Sequence, residues 1–235
     1  MPIRLAKRLI YGAFYVILWG AFLGLAWLLF RSAPPPPAPP EPAPVAVLGV
    51  ANFPVPGEPG YETLLAKIAN QNQNVASPGF DYAFDAYGAS GTLLAAFPGQ
   101  SFLYGSEVKY IVLVNQEVPS GTLAFDLSVP TSTTQWTATS TFGPPPTFTT
   151  QNISTTIGSS SVAATGQIFD GDTASFSNVL IVAIFKDASG VPVAVSQTEL
   201  GSIAPGQTEN FSASYPALAG VNPAATEVDA YAVRE

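Results

Sequence analysis

The stretch Val179-Leu180-Ile181-Val182-Ala183-Ile184-Phe185 is a run of apolar residues, most of them β-branched or aromatic. Residues of these types favour β-strands. The next five residues, Lys186-Asp187-Ala188-Ser189-Gly190, contain the turn formers of a hairpin loop, and Val191–Ser196 then predicts a strand that runs back. This hairpin predicts an antiparallel β fold for the part of the chain around it.

Further strands are predicted on both sides of this hairpin. After it, a turn at residues 204–207 separates Glu209–Tyr215 from a final strand, Thr226–Val233. Before it, period-two alternation places apolar and polar residues on opposite faces. The strands predicted there are Phe80–Ala86, Thr92–Phe97, Val108–Val114 and Thr122–Val129.

The order of these signals repeats along the chain. Ala-Ser-Gly occurs at residues 89–91 and 188–190, a displacement of 99 residues, and the later turns at Gly105 and Gly206 are displaced by 101. An ordered series with nearly constant displacement predicts a duplicated unit. We therefore predict two tandem immunoglobulin- or fibronectin-like β-sandwiches, module 1 at residues 45–130 and module 2 at residues 131–235.

The join between the modules falls in a segment rich in Ser, Thr and Pro. Residues 131–141 contain eight Ser or Thr, and three consecutive prolines follow Gly143. Such a tract could be a flexible linker. However, Trp136, Ala138, Ser140 and Phe142 alternate on one face, so we expect the first strand of module 2 to begin near Gln135.

The run Ser177–Pro216 resembles the FxLYD-type modules of bacterial exported, membrane-anchored envelope proteins and the late-embryogenesis-abundant-like β-sandwiches. The shared pattern is a strand ending at Phe185-Lys186-Asp187, a Gly, a second strand and then Pro-Gly-Gln. Lys186 stands where that family often has Tyr. The resemblance implies a sandwich fold in the cell envelope, and it implies no catalytic residues.

The N-terminal segment predicts a membrane anchor. Leu9–Phe30 is a run of 22 residues without a charged side chain, and a helix of this length spans about 33 Å, enough for a hydrocarbon core of about 30 Å. Arg4, Lys7 and Arg8 precede the run and only Arg31 follows it, so the positive-inside rule places residues 1–8 in the cytoplasm. A cleaved signal peptide is the alternative, but its apolar region is normally ~7–15 residues.

A proline-rich linker is predicted at residues 31–44. Eight of the eleven residues in Pro34–Pro44 are proline, which favours a semi-rigid polyproline II stalk. A ligand for SH3-like domains is an alternative interpretation of the same composition.

Composition excludes several classes of function. The chain has no Cys and no His, which excludes disulfides, thiolate nucleophiles, Ser-His-Asp triads and imidazole metal sites. Residues 32–235 carry 4 basic and 16 acidic groups, a formal charge of −12. Nucleic-acid binding needs a basic surface, so we expect none. We also predict no cofactor.

Acidic residues supply two candidate sites. Asp170 and Asp172, with Asp229 or Glu227, could offer oxygen ligands to Ca²⁺, although the spacing fits no EF-hand and a solvated turn is the simpler interpretation. Asp81 and Asp85 could form the carboxylate pair of a glycoside hydrolase, but the polar face of a strand explains them as well.

Other residues favour structural roles. Lys67, Lys109 and Lys186 lie in predicted strands without a Ser-x-x-Lys motif. Sequons at Asn152 and Asn210 are expected by chance in a chain this rich in Ser and Thr. Seven aromatics of module 1 could form a binding patch, but we expect core positions for them: Phe80, Tyr82, Phe84, Phe97, Phe102, Tyr104 and Tyr110.

The sequence thus predicts a single-pass protein of the cell membrane, anchored through Leu9–Phe30, whose β-sandwiches face away from the cytoplasm. A non-enzymatic structural or protein-interaction role, with a protein partner at the cell surface, is the preferred hypothesis. The alternatives are a surface-displayed carboxylate-based hydrolase and a subunit of a surface filament or secretion apparatus. The sequence leaves the oligomeric state open.

Overall fold

The computed structural model of the chain describes residues 2–30 and 41–234. These residues form two units, one ending at Glu41 and one comprising Pro42–Glu235. The predicted proline-rich stalk falls mainly on residues 31–40, which lie outside the described residues. Its last part, residues 41–44, has no regular secondary structure.

The first unit contains helix α1, Pro2–Phe30. Pro2 can occupy the first turn because its missing N–H would have no partner there. Within α1, Ala6–Phe30 is long and apolar enough to cross a membrane. Its large apolar side chains are exposed throughout Leu9–Phe30.

The second unit consists almost entirely of strands. We call residues 42–142 the N-terminal half; its strands are β1 (Ala46–Pro54), β2 (Tyr61–Ala69), β3 (Val75–Tyr87), β4 (Leu93–Leu103), β5 (Val108–Glu117), β6 (Ala124–Ser128) and β7 (Gln135–Ala138), followed by a single helical turn, α2 (Thr139–Phe142). We call residues 143–234 the C-terminal half; its strands are β8 (Phe148–Ile157), β9 (Ser161–Asp170), β10 (Phe176–Lys186), β11 (Pro192–Ile203), β12 (Thr208–Pro216) and β13 (Glu227–Tyr231).

The two halves share one strand order. In the N-terminal half, β1-β2-β5 form one antiparallel sheet and β4-β3-β6 another. In the C-terminal half, the sheets are β8-β9-β12 and β11-β10-β13. Each strand of the first set therefore has a counterpart at the same place in the second. The prediction of a β-rich chain with one apolar N-terminal helix is confirmed, and the paired sheets fit a β-sandwich architecture.

One expected strand lies elsewhere. Gln135 does begin a strand, but this strand, β7, pairs with the start of β3, with Val75 opposite Ala138 and Gly79 opposite Gln135. It therefore extends a sheet of the N-terminal half, and the expectation that it opens module 2 is wrong. A register shift in β3 between Ala76 and Gly79 accompanies this pairing, whereas β6 pairs further along β3, at residues 83–87.

Each half has its own apolar core between its two sheets. In the N-terminal half, Leu64, Ile68 and Phe84 are fully buried there, and in the C-terminal half Ile181 and Phe185 are. The apolar residues of β10 that point into this core alternate with others that point to the opposite face.

A third apolar cluster joins the halves, and we call it the junction. It contains Phe53, Leu65 and Val112 from the N-terminal half with Val182, Ile184, Val195 and Tyr231 from the C-terminal half. Strands β2 and β10 are consequently buried on both faces, which explains why the residues 179–185 are apolar without alternation.

The aromatic residues of the N-terminal half have mainly the core positions that we expected. Phe80, Tyr82, Phe84 and Tyr104 are buried. Phe97 is half-buried against the N-terminal core. Phe102 and Tyr110 are half-buried against the junction, so these two connect the halves instead of filling a core.

The substitution Gly166→Ala should destabilise the β unit. A Cβ at Gly166 in β9 would lie 2.8 Å from the ring of Phe211 and 3.1 Å from the carbonyl oxygen of Gln151, so the ring must move and the free energy of unfolding should fall by about 1–3 kcal/mol. Urea denaturation measures this change.

Gly201→Ala is the matched control, because Gly201 is also in a strand and its Cβ would have no neighbour within 4 Å. This variant should unfold at the wild-type urea concentration or slightly above it. Equal losses in the two variants would contradict the packing of Phe211 on Gly166.

Candidate functional site

A group of ionisable side chains lies at the junction and is the candidate functional site. Strand β13 places Glu227, Asp229 and Tyr231 opposite Ile184, Val182 and Leu180 of β10. Because side chains alternate along a strand, this register points all three toward the N-terminal half. There they meet β2 and β5, where Lys67 is the partner of Tyr110 in register.

Glu227 connects the two halves. Its carboxylate forms an ion pair with Lys186 of β10 and accepts a hydrogen bond from the hydroxyl of Tyr110 at 3.3 Å. Burial acts to raise the pKa of Glu227, but the hydrogen bond and positive charge of Lys186 outweigh it, and the pKa is lowered. The Nζ of Lys67 lies 5.1 Å from the centroid of the Tyr110 ring, which adds a second cation near the carboxylate.

Asp229 is the least satisfied group of the site. Its Oδ2 atom is buried and has no hydrogen-bond partner among the described residues. Burial, together with the negative charge and the hydrogen bond of Glu227, raises the pKa of Asp229 to about 6. Two carboxyl groups that are hydrogen-bonded to each other favour a state in which one of them keeps its proton.

Lys109 is a buried amine at the edge of the site. Only 2% of the residue is exposed. Its Nζ donates a hydrogen bond to the carbonyl of Phe102 at 3.3 Å and lies 3.2 Å from the centroid of the Phe102 ring and 5.2 Å from that of Tyr231. Burial lowers the pKa of Lys109, against the opposing effect of the negative charge of Glu107. Burial raises the pKa of Glu107.

A second polar contact closes the other end of the junction. The hydroxyl of Tyr104 donates to the carbonyl of Ala232 at 3.2 Å and accepts from the backbone N–H of Arg234 at 3.0 Å. The ring of Tyr104 packs at 4.7 Å between centroids on that of Phe142. A buried tyrosine therefore fastens the C-terminal segment of the chain to the N-terminal half.

The four candidate calcium ligands do not converge on one point among the described residues. Arg234 holds Asp172 through two parallel hydrogen bonds, and this interaction lowers the pKa of Asp172 to about 2. Asp170 is fully buried, so the expectation of a solvated turn is wrong for it. Glu227 and Asp229 belong to the junction. Within residues 2–30 and 41–234, no group of three or more carboxylates is placed to hold a metal ion.

Asp81 and Asp85 lie on the outer face of the β4-β3-β6 sheet, as the alternation predicted. Asp81 accepts a hydrogen bond from Gln100 at 2.9 Å and lines a depression of about 460 Å³ together with Ser101, Thr133 and Gln135. Among the described residues that line this depression, Asp81 is the one carboxylate. A glycoside hydrolase requires two carboxylates that face each other across a cleft. The described residues that line this depression do not supply such a pair.

Sequence reasoning missed most of this site. It selected Glu227 and Asp229 only as possible metal ligands, expected Tyr104 in the core and Lys109 in a strand with a structural role, and assigned no role to Arg234. One signal was available: Glu227, Asp229 and Tyr231 occupy alternate positions of a predicted strand, and this pattern marks one face with polar groups. The contacts across the junction join residues more than 100 positions apart, so no local pattern could reveal them.

Comparison with known proteins gives no family for this chain. No family model matches it, and no curated protein matches it. The geometry of the chain is therefore the basis on which a function can be proposed.

Calcium should leave the thermal stability unchanged. Because Arg234 already supplies the positive charge for Asp172, millimolar Ca²⁺ added to the full chain should not raise the melting temperature. Asp172→Ala should lower the melting temperature, since it leaves the half-buried guanidinium of Arg234 without its partner. A stabilisation by Ca²⁺ that Asp172→Ala abolishes would contradict this assignment.

Lys109 should make the stability rise with pH between about 7 and 9. A lysine whose pKa is lowered in the folded state binds its proton more weakly in the folded chain than in the unfolded chain. Its unfavourable contribution to the free energy of unfolding therefore disappears as the pH rises toward the ordinary pKa of 10.5. The slope from one group is at most about 1.4 kcal/mol per pH unit. Urea denaturation as a function of pH measures it.

Lys109→Met should remove this slope. Lys67→Met is the matched control. The hydrogen bond of Lys67 to Tyr110 raises the pKa of Lys67, so the contribution of Lys67 to the free energy of unfolding decreases with rising pH. The alkaline increase that comes from Lys109 should therefore persist in the Lys67→Met variant. Loss of the increase in the Lys67 variant but not in the Lys109 variant would refute the assignment.

Proposed function

We propose that this chain is a membrane-anchored, non-enzymatic protein of the cell envelope that presents two tandem β-sandwich modules outside the cytoplasm for a structural or protein-binding role. The observation that carries the proposal is the junction. It joins two sheet pairs of the same strand order through a buried apolar cluster, which suits a body that displays its outer sheet faces rather than two domains that enclose a cleft.

The anchor supports the membrane part of the proposal. Ala6–Phe30 is 25 residues long, within the range for a spanning helix. Arg4, Lys7 and Arg8 on its N-terminal side favour a cytoplasmic N-terminus. In the sequence, the proline-rich residues 34–44 connect this anchor to the first module.

The repeated strand order supports the interpretation as tandem immunoglobulin-like modules. Each half contains six strands that correspond to those of the other half, arranged as two antiparallel sheets around a core, and β7 is an addition to the N-terminal half. This arrangement fits a duplicated sandwich of about 100 residues. The resemblance of Ser177–Pro216 to FxLYD-type modules agrees with this interpretation and with an envelope location.

The outer sheet faces are the surfaces available to a partner, and they differ in charge. On the β4-β3-β6 face, Asp85 lies opposite Asp126. On the β8-β9-β12 face, Gln167 accepts from Asn152 at 2.9 Å and donates to Asn210 at 3.1 Å, so uncharged amides cross all three strands. An additional strand from a partner could also pair with a free edge, as in β-strand addition.

The topology is tested with protease added to intact cells that express the full chain with a C-terminal epitope. We expect the epitope to be lost without lysis, because the β unit lies outside the cytoplasm. As a matched control, Arg4, Lys7 and Arg8 are changed together to Ser, and two Lys are placed after Arg31; this exchange should protect the epitope in part of the population.

Protection of the wild-type epitope in intact cells, with loss after lysis, would overturn the proposed orientation. Loss of the anchor from the mature chain, seen as an N-terminus beyond residue 31 by mass spectrometry, would instead indicate a cleaved signal peptide.

A further inference from the structure

We propose that the junction is a pH-responsive contact between the two halves, tightest when Asp229 and Glu227 share one proton and loosened when both carboxyl groups are ionised. This inference goes beyond the proposed function and does not depend on it, because a junction insensitive to pH would leave the anchoring and display roles unchanged.

The carboxyl pair occupies a position from which it can act on the junction. Glu227 and Asp229 are two residues apart on β13 and point to the same face, toward the N-terminal half. Val182, which is opposite Asp229 in register, is fully buried in the junction cluster. The pair therefore sits beside the apolar contact that holds the halves together, where a change in charge acts directly on that contact.

The two carboxylates are also unequally paired. Glu227 has two partners, Lys186 and Tyr110. The Oδ2 atom of Asp229 is buried and has none among the described residues. An ionised carboxylate without a hydrogen-bond donor is costly away from water, whereas a protonated one can donate to Glu227 and needs no cation of its own.

The charged and titratable neighbours come from every strand packed against Asp229. Glu227 and Tyr231 share its own strand, Lys186 is on β10, Lys67 on β2 and Tyr110 on β5. The positive charges of Lys67 and Lys186 act to lower the pKa of Asp229, but burial and Glu227 outweigh them. Lys109 lies over the ring of Tyr231, the next residue of β13 on the same face as Asp229.

The direction of the effect follows from proton linkage. A carboxyl group whose pKa is raised by a contact binds its proton more tightly when the contact is made. The contribution of Asp229 is thus complete below its ordinary value of 3.8 and is lost as the pH rises to about 6. If the loosened junction restores the ordinary value, this shift corresponds to a change of about 100-fold in the ratio of tight to loosened molecules.

Lys109 acts in the opposite direction, since burial disfavours its protonated form and so weakens the contact at low pH. Its titration lies above that of Asp229, so the two effects separate on the pH axis. The range from pH 4 to 6 reports on Asp229.

Distance measurements between the halves test the proposal in the full chain, reconstituted in lipid nanodiscs. The chain contains no Cys, so Ser90→Cys and Ser189→Cys, in exposed loops of the N-terminal and C-terminal halves, introduce the two sites for spin labels. At pH 4.5 we expect one narrow distance distribution. By pH 7 it should broaden or gain a second component, with a midpoint near pH 6.

Asp229→Asn mimics the protonated carboxyl group and should keep the narrow distribution at both pH values. Asp81→Asn, which removes a carboxylate from an outer face, is the matched control and should behave like the wild type. An identical wild-type distribution at pH 4.5 and 7, or an Asp229→Asn variant that still broadens, would overturn the proposal.

A second variant keeps the test decisive if Asp229→Asn fails to fold. Glu227→Gln removes the neighbouring negative charge, so Asp229 should ionise more easily and the midpoint should move to lower pH. A midpoint at or above that of the wild type would show that the carboxyl pair does not govern the junction.

Discussion

The structure depends on the burial of two central strands, β2 and β10, on both faces. Each faces the core of its own half on one side and the junction on the other. Apolar area removed from water stabilises by about 25 cal/mol per Å², so strands that bury both faces contribute more than strands with a solvated side. The rest of the β unit, including its polar site, is arranged around this contact.

The polar groups at the junction set its register. Apolar surfaces pack without strong directional preference, but a hydroxyl or a carboxylate must meet a partner. Tyr231 accepts the backbone N–H of Tyr110 at 3.2 Å, and Tyr215 donates to the carbonyl of Pro54 at 3.0 Å. These bonds and those of Tyr104 allow one alignment of the halves, and Asp229 is left with an unpartnered oxygen in that alignment, as far as the described residues extend.

Sequence reasoning found the strands with strong local signals. The hairpin around Gly190 and the alternating aromatics of β3 both form as predicted. Strand β8 was missed because Phe148–Ile157 is nearly all polar and gives no alternation. The pairing of β7 with β3 was missed because the composition of residues 131–146 does not indicate which strand lies beside them. The unbroken apolar run at 179–185 did contain the signal for two-sided burial, although it could not identify the opposing sheet.

Native-state hydrogen exchange on the full chain, at the acid pH where the junction is proposed to be tight, tests the junction most directly. If the two halves form one cooperative unit, the slowest amides of β2 and β10 should open with the same free energy and the same dependence on urea. If β10 exchanges while β2 stays protected, or the reverse, the two strands open with distinct free energies. That result would show that the halves unfold independently and would contradict a junction that unites them.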